Sequence, residues 1–255
     1  AIDASVRLVE LAPDDQLAYS FLANAYRQRQ NLDSTLWAYE NLSRLSSNNF
    51  RVWSELGQLR MRKMQIDSAM AAFRTSILLE RSAQNINSFS ALGDLYNLAH
   101  LPETSKVILK EALTLDSDNV VLHRQLLQLY ADQDSFAQAL PQALRPLALS
   151  PLDRNAFRRL GWIYLNIDSL NQADSIFTKL IDEGEDLPVN RYYLGHIAIQ
   201  KRDYRRAREQ FGRLAAIEDT IVNRWLDLAY AHRMLGHTDS ELGAYREGIN
   251  RVPSD

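Results

Sequence analysis

The sequence predicts an all-α protein, a right-handed solenoid of antiparallel helix pairs, and three observations predict it. A pattern of small and large apolar residues recurs about every 34 residues along the 255-residue chain. Inside each copy the apolar residues follow the helical period of 3.6, with no strand-like alternation. Each copy also breaks in its middle at short polar residues that suit a helix–turn–helix connection. The clearest copy, 154–187, reads Phe157-x-x-Leu160-Gly161-x-x-Tyr164 and then Ala173-x-x-x-Phe177.

Taken in order, residues 1–15 are a half unit. Ala1, Ala4, Ser5, Leu8, Val9 and Leu11 fall near one helical face and Pro13 ends it. This reads as the second helix of a repeat, so the chain is expected to begin part-way through a larger array. Full units follow at 16–49, 50–83, 86–119, 120–153, 154–187, 188–221 and 222–255, in a single array. The first has Tyr19, Leu22, Ala23 and Tyr26 on its first (A) helix and Leu36, Tyr39 and Leu42 on its second (B) helix, with Asn31 and Asp33 at the turn as caps. The second repeats this as Trp53, Leu56, Gly57, Ala69 and Phe73. After the insertion Gln84-Asn85, the third carries Phe89, Leu92, Gly93 and Tyr96, and Pro102 opens its B helix, where a missing N–H costs nothing. The fourth has His123, Leu126, Tyr130 and Ala139, but Pro141 and Pro146 fall inside its B helix, predicting a late-starting, kinked or broken helix over 140–147. The sixth carries Leu194, Gly195, Ala207 and Phe211, and the last Trp225, Leu228, Ala229, Tyr245 and Pro253.

The Gly or Ala at the eighth position lets the B helix approach closely, and the large residues beside it fill the groove. One such hairpin cannot bury its apolar stripe alone, so neighbours must stack.

Composition narrows the function. A formal net charge of −3 gives no general reason to expect nucleic acid or an anionic membrane as partner. The absence of cysteine excludes disulfides and thiolate metal sites. No apolar run approaches the length of a membrane span, so a soluble chain is expected, cytoplasmic or exported after processing. There is no phosphate loop, nucleophile elbow or dinucleotide fingerprint, so neither catalysis nor a cofactor is expected. His232 and His237 are the closest histidine pair, but a spacing of five does not place both on one helical face, and no metal site is expected.

Phe157, Leu160, Gly161, Tyr164, Ala173 and Phe177 match the pattern of tetratricopeptide repeats, and the whole chain resembles that family. Departures are Thr35, Ser105 and Glu241 at the usual Ala of helix B, and His232 at the usual Tyr. The resemblance implies a superhelical scaffold that binds peptides or protein surfaces in its concave groove, without catalysis of its own. It also implies that the fifth and ninth positions of the A helices line that groove. This stripe reads Ser20, Asn24, Ser54, Gln58, Ser90 and Asp94, then Arg124 and Gln128, and then Arg158, Trp162, Tyr192, His196, Leu226 and Tyr230. The small polar half lacks the cations of a carboxylate clamp. Trp, Tyr and Arg dominate binding hot spots, so Arg124, Arg158, Trp162, Tyr192, His196 and Tyr230 are the expected partner-binding residues, for a peptide with aromatic or acidic side chains.

The run Lys201–Arg208 is read as a solvated helix face, and the Asp-Ser pairs at Asp33, Asp67, Asp134, Asp168 and Asp239 as turn and capping chemistry, with Asp174 the exception inside helix B. Two other readings are a regulatory or assembly segment of a larger multidomain or cell-envelope protein, and a homo-oligomer formed through uncapped ends.

Overall fold

Every A helix begins where the repeat pattern restarts. The computed structural model describes residues 2–251; Ala1 and Pro253, both used in the repeat reading, lie outside them. Helix α1 (Ile2–Leu11) is the half unit. The A–B pairs are α2 (Gln16–Gln28) with α3 (Leu32–Leu45), α4 (Phe50–Arg62) with α5 (Ile66–Leu79), and α6 (Ile86–Leu98) with α7 (Pro102–Leu115). Then come α8 (Val120–Ala131) and α9 (Phe136–Leu149), α10 (Arg154–Asn166) with α11 (Leu170–Asp182), α12 (Pro188–Gln200) with α13 (Tyr204–Ile217), and α14 (Val222–Met234) with α15 (Thr238–Arg251). There is no strand among the described residues. The chain divides between Asp132 and Gln133 into two compact units, α1–α8 and α9–α15, a boundary that falls at the turn inside the fourth repeat.

The helix ends are set by local chemistry. Asp15, Asn31, Asn49, Asn119, Asp153 and Asp203 each accept a backbone N–H of the first turn that follows, so Asn31 caps α3 as its sequence position predicts. Asp33 instead lies in the first turn of α3 and pairs with Lys63. Each A helix ends the same way. Gln30, Met64, His100, Asp134, Asp168, Arg202 and Gly236 all take a positive φ at one repeat position. In every A helix but α8 the next residue donates back five positions, as Leu101 N does to Tyr96 O at 2.8 Å and Ser169 N to Tyr164 O at 2.8 Å. This is a Schellman closure, carried mostly by residues other than glycine.

Within each unit, A and B helices of one repeat pack against each other, and each B helix packs against the next A helix. The close approach is visible at Gly195: a Cβ built there would lie 2.3 Å from the ring of Phe211. Gly57 meets Phe73 in the same way. Phe73, Phe89, Phe177 and Phe211 are among the largest fully buried side chains. The departures at the usual Ala are satisfied polar groups: Thr35 Oγ1 donates to Asn31 O at 2.7 Å, and Ser105 Oγ to Gly93 O at 2.7 Å. Glu241 accepts from Arg233 Nε at 2.7 Å.

The insertion Gln84-Asn85 forms a short 3-10 turn, Ala83–Asn85. Its buried Asn85 donates to Glu80 O at 2.9 Å and accepts from Ser76 Oγ at 3.1 Å. The fourth A-helix position ties repeats to the preceding connector: Trp53 Nε1–H donates to Ser47 O at 2.8 Å and Trp225 Nε1–H to Asp219 O at 2.7 Å.

One expectation is corrected. Helix α9 neither starts late nor breaks at Pro141 and Pro146; it runs unbroken over Phe136–Leu149. Pro141 and Ala137 are both exposed, so water can reach the Ala137 carbonyl that Pro141 leaves without its helical donor. Burial of Ala139, Ala143 and Pro146 on the opposite face holds the helix in place.

Candidate functional site

In both units the fifth and ninth A-helix positions first of all join one repeat to the next. In the first unit Ser88 Oγ donates to Ser54 Oγ at 2.9 Å, and Gln125 bonds both Ser90 at 3.0 Å and Asp94 at 2.6 Å. In the second unit the same positions are larger, and the bonds become charged and aromatic. The stripe is thus a seam between A helices as well as a surface.

The structure treats the expected binding residues differently. Arg124 is exposed on α8, in the first unit. Arg158 is committed within the fold: its Nε donates to Asn190 Oδ1 at 2.9 Å, Nη1 to Asn155 Oδ1 at 2.8 Å, and Nη2 to Glu185 Oε2 at 3.1 Å. Its side chain is only 16% exposed, so it braces the α10–α12 joint and does not present an open cation. Trp162 is half-buried, with its ring edge-to-face against Phe136 at 5.2 Å between centroids. Tyr192 is half-buried beneath the Arg224 guanidinium, which lies 4.8 Å from its ring centre. Tyr230 is open, 42% exposed, next to Leu226 at 45%.

His196 and Asp227 form the electrostatically unusual pair. His196 Nε2 lies 3.8 Å from Asp227 Oδ2, beyond direct hydrogen-bond reach, and is shut off from water without a hydrogen-bond partner. Its ring packs against Tyr192 at 4.3 Å and Phe211 at 5.3 Å. Burial pushes the imidazole below its ordinary pKa, against the pull of Asp227. Burial also pushes the Asp227 carboxyl up, against His196 and Arg224. Arg224 is itself held by Glu218 at 2.6 Å.

Sequence reasoning missed several charged joints. Arg191 occupies the fourth A-helix position, where other repeats carry a ring, and it is 4% exposed, bonded to Gln210 at 3.0 Å and to Asp186. A charged residue at an otherwise apolar repeat position was the available signal. Asp174 takes Lys201 at 2.6 Å and Arg206 at 2.7 Å from the next repeat. Burial raises its carboxyl, but the hydrogen bonds from Arg206 and Lys201 outweigh that and hold it below the usual range. Two cations of the 201–208 run are therefore tied down, while Arg202, Arg205 and Arg208 are exposed. Among the described residues no cluster of three or more His, Cys, Asp or Glu could hold a metal ion, and no helix is long and apolar enough to cross a membrane.

No protein-family model matches the chain, and no curated protein matches it by sequence. Solved structures do match. The C-terminal part of a TPR repeat-containing protein from Cytophaga hutchinsonii aligns over 89% of this chain and 93% of its own, with a TM-score of 0.73 and 14% identity. A tetratricopeptide repeat protein from Parabacteroides merdae aligns over 80% of each chain, with a TM-score of 0.66 and 15% identity. YrrB, described as a TPR protein with an unusual peptide-binding site, aligns over 80% of this chain and 100% of its own, with a TM-score of 0.59 and 19% identity.

Proposed function

This chain has the tetratricopeptide-repeat fold, and from that premise we propose that it is a binding scaffold, without catalysis of its own, for a peptide or protein segment on the A-helix face of its second unit. The observation that supports this most is the change in the stripe. In the first unit the fifth and ninth positions are small polar groups, several of them closed by bonds to the next repeat. In the second unit they include Trp162 and Tyr192, half-buried, and Leu226 and Tyr230, open to solvent. Aromatic side chains offer large contact area at low entropic cost and are enriched in binding hot spots. YrrB, of the same fold, is described as having a peptide-binding site, which agrees with a ligand-binding face here. Of the two arginines expected to draw an acidic side chain, Arg158 is paired with Glu185, while Arg124 is exposed.

The test is affinity capture from a native extract with the wild-type chain and with a Trp162→Ala/Tyr230→Ala double variant whose helicity is first matched by circular dichroism. A partner held by the wild type and lost from the variant supports the proposal. A partner held equally by both moves the binding face elsewhere.

A further inference from the structure

Two histidines that a spacing of five would set on different faces of a helix are brought side by side by the end of α14. In the Schellman closure there, His237 N–H donates to His232 O at 3.0 Å, and the two rings lie 6.0 Å apart. His237 is exposed at the entry to α15, and His232 is half-buried. Arg208 of α13 is close enough to act on the same ring: burial, Arg208 and His237 together lower the His232 pKa. The equivalent joint of the first unit is closed differently. Lys106, at the repeat position of Arg208, lies 5.4 Å from the ring centre of Tyr130, at the position of His232, and pairs with Glu103 at 2.7 Å. Carboxylates do not close the joint in the second unit. Glu209 is held by Arg213 at 3.0 Å, Glu241 by Arg233 at 2.7 Å, and Asp203 caps α13, while Asp239 is exposed in the first turn of α15. Arg202, Arg205 and Arg208 are exposed and in no ion pair among the described residues.

We propose that Arg208, His232 and His237 receive a phosphate monoester carried by a side chain of a partner protein. The guanidinium offers a planar fork of N–H donors, and each ring offers one more. Nδ1 of His232 is shut off from water without a partner, so a proton there would be buried and unpaired; the ring keeps its proton on Nε2 and meets the ligand through it. Arg205, three residues before Arg208 on α13, adds a second guanidinium on the same side. A phosphate brings a charge of about −1.5 to −2 and three acceptor oxygens, which suits donors from three side chains better than the single charge and two oxygens of a carboxylate. The net charge of −3 disfavours a polyanion such as nucleic acid or an acidic lipid surface, and favours a single anionic group. His232 lies two residues past Tyr230, on the other side of α14 from the stripe. The site therefore goes beyond the scaffold reading and rests on it only for the protein that carries the phosphate.

The experiment separates the two. The whole chain, with EDTA present and ionic strength held constant near pH 7, is titrated with Nα-acetyl-O-phosphoserine methylamide while its five histidine rings are followed by NMR. Saturable shifts confined to His232 and His237 are expected, with His100, His123 and His196 as internal references. The serine analogue should give none, and the aspartate analogue should bind several-fold more weakly. Arg208→Gln, and His237→Asn, which keeps a good helix cap, should each weaken the phosphoserine probe about tenfold with helicity unchanged. Arg62→Gln, which removes an exposed arginine of the first unit, should not weaken it. Uniform shifts of all five rings, absence of saturation, or unaltered binding by Arg208→Gln overturns the proposal. Tighter binding of inorganic phosphate, a short oligothymidylate or phosphatidylserine vesicles overturns it as well, by making the ligand a free anion, a nucleic acid or a membrane. A partner lost from the Trp162→Ala/Tyr230→Ala variant, in a chain whose rings do not respond to phosphoserine, leaves the scaffold standing and removes this receptor. Saturable phosphoserine binding with no captured partner does the reverse.

Discussion

Replacing Gly195 with alanine adds one carbon at the tightest helix crossing among the described glycines. That carbon would sit 2.3, 2.6 and 2.7 Å from three atoms of the Phe211 ring, against about 3.5–4.0 Å for relaxed carbon contacts. The ring must retreat by roughly 1 Å to restore such contacts. It has little room, since Phe211 is 1% exposed and packs with Ala198, Ala207, Leu214 and Ala231. Overpacking of this kind costs about 1–3 kcal/mol, and here the upper end applies because the obstacle is a fixed ring. Alanine recovers about 1 kcal/mol of helix propensity, leaving a net loss of about 2 kcal/mol. Gly243, also inside a helix, has nothing within 4 Å of its would-be Cβ, so Gly243→Ala should gain about 1 kcal/mol from propensity alone. Thermal melts followed by circular dichroism read both, at about 2–4 °C per kcal/mol for a chain of this size. Gly195→Ala should melt several degrees lower and Gly243→Ala a few degrees higher. Adding Phe211→Leu to Gly195→Ala should cost less than the sum of the two single changes. If Gly195→Ala stabilised the protein as Gly243→Ala does, the helices would not approach as described, and the packing argument would fail.

Met64 holds φ at 58° on an exposed turn, and Met64→Gly should raise stability by about 0.5–1 kcal/mol, as left-handed strain relieved exceeds the added freedom of the unfolded chain; a urea midpoint checks it. His232 has its pKa lowered by burial and by Arg208 and His237, so the folded state prefers the neutral ring. The stability this gives is present above the unfolded pKa of about 6.5 and is lost as pH falls through the lower folded value. Melting temperature should therefore drop on acidification from pH 7.5 to 5, and His232→Tyr, which restores the ring that Tyr26, Tyr96, Tyr130 and Tyr164 supply elsewhere, should flatten that drop. An unchanged slope would show that His232 does not contribute to it.

The repeat phase was legible because it depends only on nearest-neighbour geometry. A small residue at the eighth A-helix position and a large one on helix B must recur together or the hairpin cannot close, so Gly57 and Phe73, or Gly195 and Phe211, announce their contact in the sequence. The Asn31 cap and Pro102 were legible for the same reason, since each acts within one turn of its own position. What the sequence alone determined was the order, phase and hairpin chemistry of the helices. The tertiary structure decided what the side chains of the stripe do. Whether Arg158 faces a ligand or Glu185, and which ring Asp227 lies beside, depends on residues about thirty positions away and on rotamers chosen between repeats. The unbroken α9 belongs with them: local rules for proline predicted a late-starting, kinked or broken helix, yet it runs continuously over Phe136–Leu149, with Ala139, Ala143 and Pro146 buried on its far face. A periodic pattern fixes which helices touch; pairing between neighbouring charges fixes which groups remain open to a partner.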